Sequence, residues 1–106
     1  MAKQFHKVAK VSDIQPGQVI SVLVEGEEIA VCNVDGSFFA IADICSHDGG
    51  SLDQGELEGD IIECPRHGAQ FNIRTGEVVQ RPAVVPIDTY VIQIQGDDIL
   101  VEIDSY

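Results

Sequence analysis

The sequence predicts an all-β chain, a small antiparallel sandwich or barrel, and three observations carry that expectation. Short alternating apolar runs recur at intervals of about ten residues, with Gly, Asp and Pro between them. Apolar residues do not recur at the 3.6-residue spacing of an amphipathic helix. At 44% apolar and 23% charged, the chain has enough Val and Ile to close one small core, which excludes wholesale disorder. Its 106 residues make one domain, too small for two enclosed active sites.

Taken in order, the first residues read as a flexible start, with His6 at the surface. The turn Gln15-Pro16-Gly17 opens a strand over Val19–Val24, and the acidic bend Glu25-Gly26-Glu27 separates it from another over Glu28–Val34. Asp35-Gly36 then divides Ile29–Val34 from Ser37–Ala42. A two-residue hairpin prefers this dipeptide because Gly accepts positive φ. Cys32 falls inside the apolar strand and reads as a small buried hydrophobe without a chemical role. Thr89–Gln95 and Ile99–Ile103 flank Gly96-Asp97-Asp98 as a second hairpin. There Tyr90, Ile92 and Ile94 alternate against Val91 and Gln93, so one face is expected in the core. Between these β regions, residues 45–75 are rich in Gly and polar side chains and hold two of the three His. This insert reads as a subdomain at most, with residues 1–44 and 76–106 forming the β base. No repeat or linker marks a second domain.

Six Lys plus Arg against 18 Asp plus Glu leave a net charge of −12. Nucleic acid is excluded as a ligand class, because its phosphates demand clustered cations. All three Lys lie in the first ten residues and all three Arg between 66 and 81. Residues 11–65 carry twelve acids and no base, six of the acids falling between Asp48 and Glu63. This is either a solvated acidic surface or an electrostatic guide toward a basic partner. The longest apolar run, Phe38–Ala42, is far short of the ~18 residues of a membrane span. The start has no secretory signal core. A cytoplasmic location without membrane association is the expectation.

Three cysteines are an odd number, which argues against a disulfide scaffold and for free thiols or metal thiolates. Cys45-Ser46-His47 is followed, after sixteen intervening residues, by Cys64-Pro65-Arg66-His67. At this composition both pairs arise together by chance in under about one per cent of chains. Cys45, His47, Cys64 and His67 are therefore read as metal ligands. Two Cys and two His would make a legitimate tetrahedral zinc site, although zinc fingers usually pair Cys with Cys and His with His. One thiolate and one imidazole per loop suit a two-iron cluster, with both Cys on one iron and both His on the other.

On these residues the chain resembles the Rieske-type ferredoxins that serve bacterial ring-hydroxylating dioxygenases. The likeness extends to Gly68 after the second His, to Phe71 with Thr75-Gly76-Glu77, to Arg81-Pro82-Ala83 in the place of the proline loop that covers the cluster, and to Pro86, Tyr90 and Gly96-Asp97 before the last strand. It implies a Rieske-like β-sandwich or barrel base with a small loop-rich cluster-binding subdomain over residues 45–75. It further implies one [2Fe–2S] Rieske cluster on Cys45, His47, Cys64 and His67. Respiratory Rieske proteins carry an extra Cys in each ligand loop, joined as a disulfide; the matching positions here are Gly50 and Arg66. They also place Ser and Tyr hydroxyls against the cluster sulfurs, where this chain has Ala69 and Phe71.

A two-iron core with two thiolates and two neutral imidazoles is uncharged when oxidised, against −2 for a four-thiolate cluster, so it accepts an electron more easily. Losing the two hydroxyl donors lowers the potential within the Rieske range, toward roughly −150 mV. With only His6 left over, the chain cannot supply the two His and one carboxylate of an oxygenase iron. No P-loop, dinucleotide fingerprint or Ser/His/Asp set is present. The reading is a one-electron carrier without catalysis or a small-molecule substrate of its own, moving electrons from a flavin-containing NAD(P)H reductase to a terminal oxygenase. Its alternatives are a small Rieske subunit of a nitrite reductase, another redox domain, or a structural zinc module.

Overall fold

Three consecutive strands follow directly from the turn chemistry. In the structure, a computed structural model describing residues 2–45, 49–65, 68–81 and 85–105, β2 (Val19–Val24), β3 (Glu27–Val34) and β4 (Ser37–Ala42) form an antiparallel meander. Val24 pairs with Glu27 and Val34 with Ser37, so each connection is a two-residue turn. Glu25-Gly26 and Asp35-Gly36 all have positive φ, the backbone that matches the twist of the flanking strands. A short strand β9 (Thr89–Tyr90) adds to β4 and completes a sheet of order β2-β3-β4-β9.

A second sheet of order β1-β11-β10 is built from β1 (Ala2–Lys10), β10 (Ile92–Gln95) and β11 (Asp98–Ser105). The expected flexible start is thus a nine-residue strand, bulged between Lys7 and Ala9 where it pairs with β11. Its residues have no hydrophobic alternation strong enough to announce a strand; the pairing with Ile99–Ile103 supplies the stability. His6 is half-buried opposite Val101, not at the surface. Lys3, Lys7 and Lys10 all lie on this edge strand, where charge discourages pairing with a second chain. Lys7 also reaches Asp98 across the sheet, at 3.3 Å.

The run Thr89–Gln95 is not one strand. It breaks at Val91, which is 56% exposed, so Tyr90 belongs to the first sheet and Ile92 to the second. Gln95 pairs with Asp98, which shortens the expected three-residue turn to Gly96-Asp97. Ile94 is largely exposed, and the core face of this hairpin is carried by Ile99, Val101 and Ile103.

The third sheet, of order β5-β6-β7-β8, comprises Glu56–Glu58, Ile61–Glu63, Gln70–Asn72 and Val78–Gln80. Three of its strands lie within the stretch read as loop-rich, because three-residue strands are too short to display a period. Among the described residues there is no α-helix, only the 3-10 turns Val11–Asp13 and Leu52–Gln54.

Two apolar clusters meet on β3. Ile29 and Val31 pack with Ile14, Ala40, Ile99, Val101 and Ile103 between the first two sheets. Ala30 and Cys32, pointing the other way, pack with Ile41, Leu52, Ile62, Phe71 and Ile73 of the third sheet's side. All four β3 residues are fully buried. Burial pushes the Cys32 thiol from 9.0 up to about 12, with the Asp43 charge adding to it.

The third sheet is fastened to the rest at Arg74 and Gly76. The Arg74 guanidinium lies 4.6 Å from the centroid of the Phe39 ring, and its Nε is 2.9 Å from Asp60 Oδ2. Gly76, at φ +80, donates its N–H to the Asn72 carbonyl, and its own carbonyl accepts the Ile87 N–H. A Cβ on Gly76 would lie 2.1 Å from the Ile87 carbonyl oxygen.

Gly76→Ala is therefore expected to destabilise by about 2–3 kcal/mol, combining strained φ with a backbone collision. Gly36→Ala, with positive φ but open space, should cost about 1 kcal/mol. Equal midpoints in denaturant unfolding would contradict this reading. For Cys32, the folded pKa exceeds the unfolded one, so its share of stability is full below pH 9 and falls as pH rises toward 12. Unfolding midpoints of Cys32→Ala between pH 8 and pH 11 should accordingly decline less steeply than those of the natural chain.

Candidate metal centre

Two loops present the motif cysteines, and their backbones close in the same way. In the first, after β4, the Cys45 N–H donates to the Gly50 carbonyl at 2.7 Å, and the Gly49 N–H returns to the Cys45 carbonyl at 2.8 Å. In the second, after β6, the Cys64 N–H donates to the Ala69 carbonyl at 2.7 Å, and the Gly68 N–H returns to the Cys64 carbonyl at 3.2 Å. Each bond thus joins the cysteine to the residue five places on, and the residue four places on joins back to it. Gly49 and Gly68, the fourth residues, have nearly identical φ of +75 and +77. The left-handed backbone needed at that corner explains a glycine in both loops.

The thiols are almost completely buried, Cys45 and Cys64 each at 1% exposure, in one apolar cluster with Leu52, Ile62, Ala69, Phe71 and Ile87. None of the three cysteines, all of them described, is in a disulfide. Soft sulfur donors on matched loops over a dry floor are what an iron–sulfur or zinc site requires of its thiolate side. Ala69 and Phe71 are buried beneath the second loop, and neither carries a hydroxyl to donate. Cys32 shares the cluster but is held in the middle of β3, between neighbours that leave its backbone no freedom to form a loop.

His47 and His67 lie outside the described residues, as do Asp48, Arg66 and Pro82. Among the described residues no group of three or more His, Cys, Asp and Glu side chains could hold a metal ion. Ile44, which precedes Cys45, and Val85, which follows the proline segment, are 52% and 56% exposed.

One feature at the site is not predicted by the motif. Asp43, only 2% exposed, accepts the Asp53 N–H on Oδ1 at 2.8 Å and hydrogen-bonds the Ser21 side chain. Burial pushes its carboxyl above the ordinary range, and the neighbouring Asp53 side chain adds to the effect. The signal available in the sequence is an acid inside the apolar run Phe38-Phe39-Ala40-Ile41-Ala42-Asp43-Ile44. A charge embedded there is buried with partners, or the run could not pack.

Comparison with known proteins agrees with this geometry. Residues 4–91 match the family described as the Rieske [2Fe-2S] domain. The chain is 43% identical over 99 residues to the ferredoxin component of biphenyl 2,3-dioxygenase from Rhodococcus jostii, covering 93% of this chain and 92% of that one. Its fold is similar to the ferredoxin of carbazole 1,9a-dioxygenase from Nocardioides aromaticivorans, with a TM-score of 0.89 at 34% identity over 92% of this chain and 96% of that one. It is also similar, at TM-score 0.88 and 38% identity over 92% and 91% of the two chains, to a chain in a complex of reduced oxygenase and oxidised ferredoxin in carbazole 1,9a-dioxygenase. Among the described residues no helix is long and apolar enough to cross a membrane. With matched cysteine loops and relatives of this kind, the chain belongs to the Rieske [2Fe–2S] domain family, as a ferredoxin-type electron carrier with one Rieske [2Fe–2S] cluster as its cofactor.

Proposed function

We propose that Cys45 and Cys64 hold one iron of the cluster and His47 and His67 the other, and that the chain carries single electrons in the cytoplasm from a flavin-containing NAD(P)H reductase to a terminal oxygenase that hydroxylates aromatic rings. The observation that carries this reading is the pair of equivalent loops, each with a buried cysteine followed in sequence by a histidine two or three residues on. The relative seen with its oxygenase in the carbazole system supports the second partner. When bound, the cluster supplies a one-electron couple. The chain's own part is to bury the thiolates and exclude water beneath them through Leu52, Ile62 and Phe71, while Ile44, next to Cys45, stays exposed to a protein partner.

The acidic surface fits the same task. Glu56 on β5 is exposed and Asp53 is half-exposed, both close in sequence to the first ligand loop, with Asp48 inside it. Such charges raise the encounter rate with a basic docking face and act less as salt screens them.

Protein purified without oxygen should contain two irons and two sulfides per chain and, after dithionite, give an EPR spectrum of low average g, with a potential of roughly −150 mV. A potential above about +100 mV at pH 7 would overturn the argument from missing hydroxyl donors. Stoichiometric zinc without iron would overturn the whole reading. His67→Cys, adding a thiolate, should lower the potential if the cluster is retained. In a reaction with reductase and oxygenase, product should form only when the chain is present. Asp53→Asn with Glu56→Gln should slow the second-order electron transfer several-fold at low salt and little at high salt.

A further inference from the structure

The two ligand loops close alike but are braced differently. The Cys64 loop joins neighbouring antiparallel strands, β6 and β7, and Glu63 pairs directly with Gln70 beneath it. Their side chains add a second tie, Gln70 Nε2 donating to Glu63 Oε1 at 2.9 Å. The Cys45 loop runs instead from the end of β4 to the 3-10 turn Leu52–Gln54, and these two elements are not strand partners. No ladder can hold its base together.

Asp43 stands where that ladder is missing. Its N–H donates to the Glu28 carbonyl at 3.0 Å, extending the β3–β4 pairing beyond Ala42, while its carboxyl accepts the Asp53 N–H from the far end of the loop. One residue thereby ties both ends of the segment that carries Cys45 to the central sheet. We infer that Asp43 is a positioning residue for the first ligand loop, its carboxyl replacing the strand pairing that holds the second. The inference rests on the proposed assignment of Cys45 as a ligand.

A side chain that only stabilised the fold would not single out the cluster, and the contrast can be drawn within this chain. Asn33, likewise buried, at 4% exposure, donates to the Ile14 carbonyl and accepts the Gly36 N–H, both away from the ligand loops. Asp43→Ala and Asn33→Ala each remove a buried tie.

In the cluster-loaded protein, Asp43→Ala should lose its visible absorbance about tenfold faster than the natural chain on chelator challenge, the factor that one buried hydrogen bond is worth. Its EPR g values should broaden or shift. Asp43→Asn, which keeps an acceptor for the Asp53 N–H, should stay within about twofold of the natural chain. Asn33→Ala should lower the unfolding midpoint while leaving g values and cluster loss unchanged. If Asp43→Ala does not fold, Asp43→Ser takes its place, since its hydroxyl is too short to reach the amide. Equal cluster loss in the Asp43 and Asn33 variants, or unaltered EPR in Asp43→Ala and Asp43→Ser, overturns the inference. A natural chain without iron and sulfide overturns the ligand assignment and this inference with it; a sound cluster insensitive to Asp43 overturns this inference alone.

Discussion

A strand buried on both faces obliges everything around it to be layered. β3 presents Ile29 and Val31 to one apolar cluster and Ala30 and Cys32 to the other, each fully removed from water. Burying a Val or Ile side chain completely contributes about 1.5–3 kcal/mol, so neither face can be left uncovered. The sheet holding β1, β10 and β11 covers the first face. On the second face, apolar residues from the ligand loops and the third sheet are the cover. The two cysteine loops are therefore part of the packing of this strand, and Cys45 and Cys64 are core residues of it.

That arrangement places the same demand on both cysteine loops, which close with the same backbone pattern. A buried thiolate is costly unless its charge is compensated. The loops must consequently hold their sulfurs where a metal can neutralise them while keeping their own N–H and C=O groups satisfied. The reciprocal bonds between Cys45 and its loop, repeated around Cys64, settle this backbone demand with two hydrogen bonds per loop and one left-handed glycine. The remaining difference between the loops lies below them, in strand pairing for one and a carboxylate for the other.

Legibility in the sequence follows the same physics. The meander from β2 to β4 was readable because its turns need Gly at fixed places and its strands alternate over six to eight residues. The third sheet was not, since three residues give no period and its stability comes from neighbours distant in sequence. β1 is illegible for a related reason: its register is imposed by β11, more than one hundred residues away at Ala2 and Ser105. The break at Val91 is invisible to an alternation argument, which cannot distinguish one strand from two that lie end to end in different sheets. At the site, the spacing singles out Cys45 and Cys64, and the structure places both, buried, on equivalent loops. Asp43 was not, because its role depends on the carboxyl meeting an amide ten residues further on.

The charge layout gives the surface its direction. Among the described cations, Lys3, Lys7 and Lys10 line the edge of the β1 sheet, Arg74 is engaged with Phe39 and Asp60, and Arg81 is exposed directly after β8. All five stand on segments other than the loop that carries Cys45. Glu56, Glu58 and Glu63, in contrast, line one open cleft of the third sheet with Ile61 and Gln70. That cleft, which reaches the second cysteine loop at Glu63, is thus lined by three acids and no base. Attraction there must be supplied by cations on the partner, acting over roughly one Debye length, ~8 Å at physiological ionic strength. A carrier that meets two partners in turn benefits from that range. Long-range attraction speeds encounter, while few dedicated pairs let the complex part again.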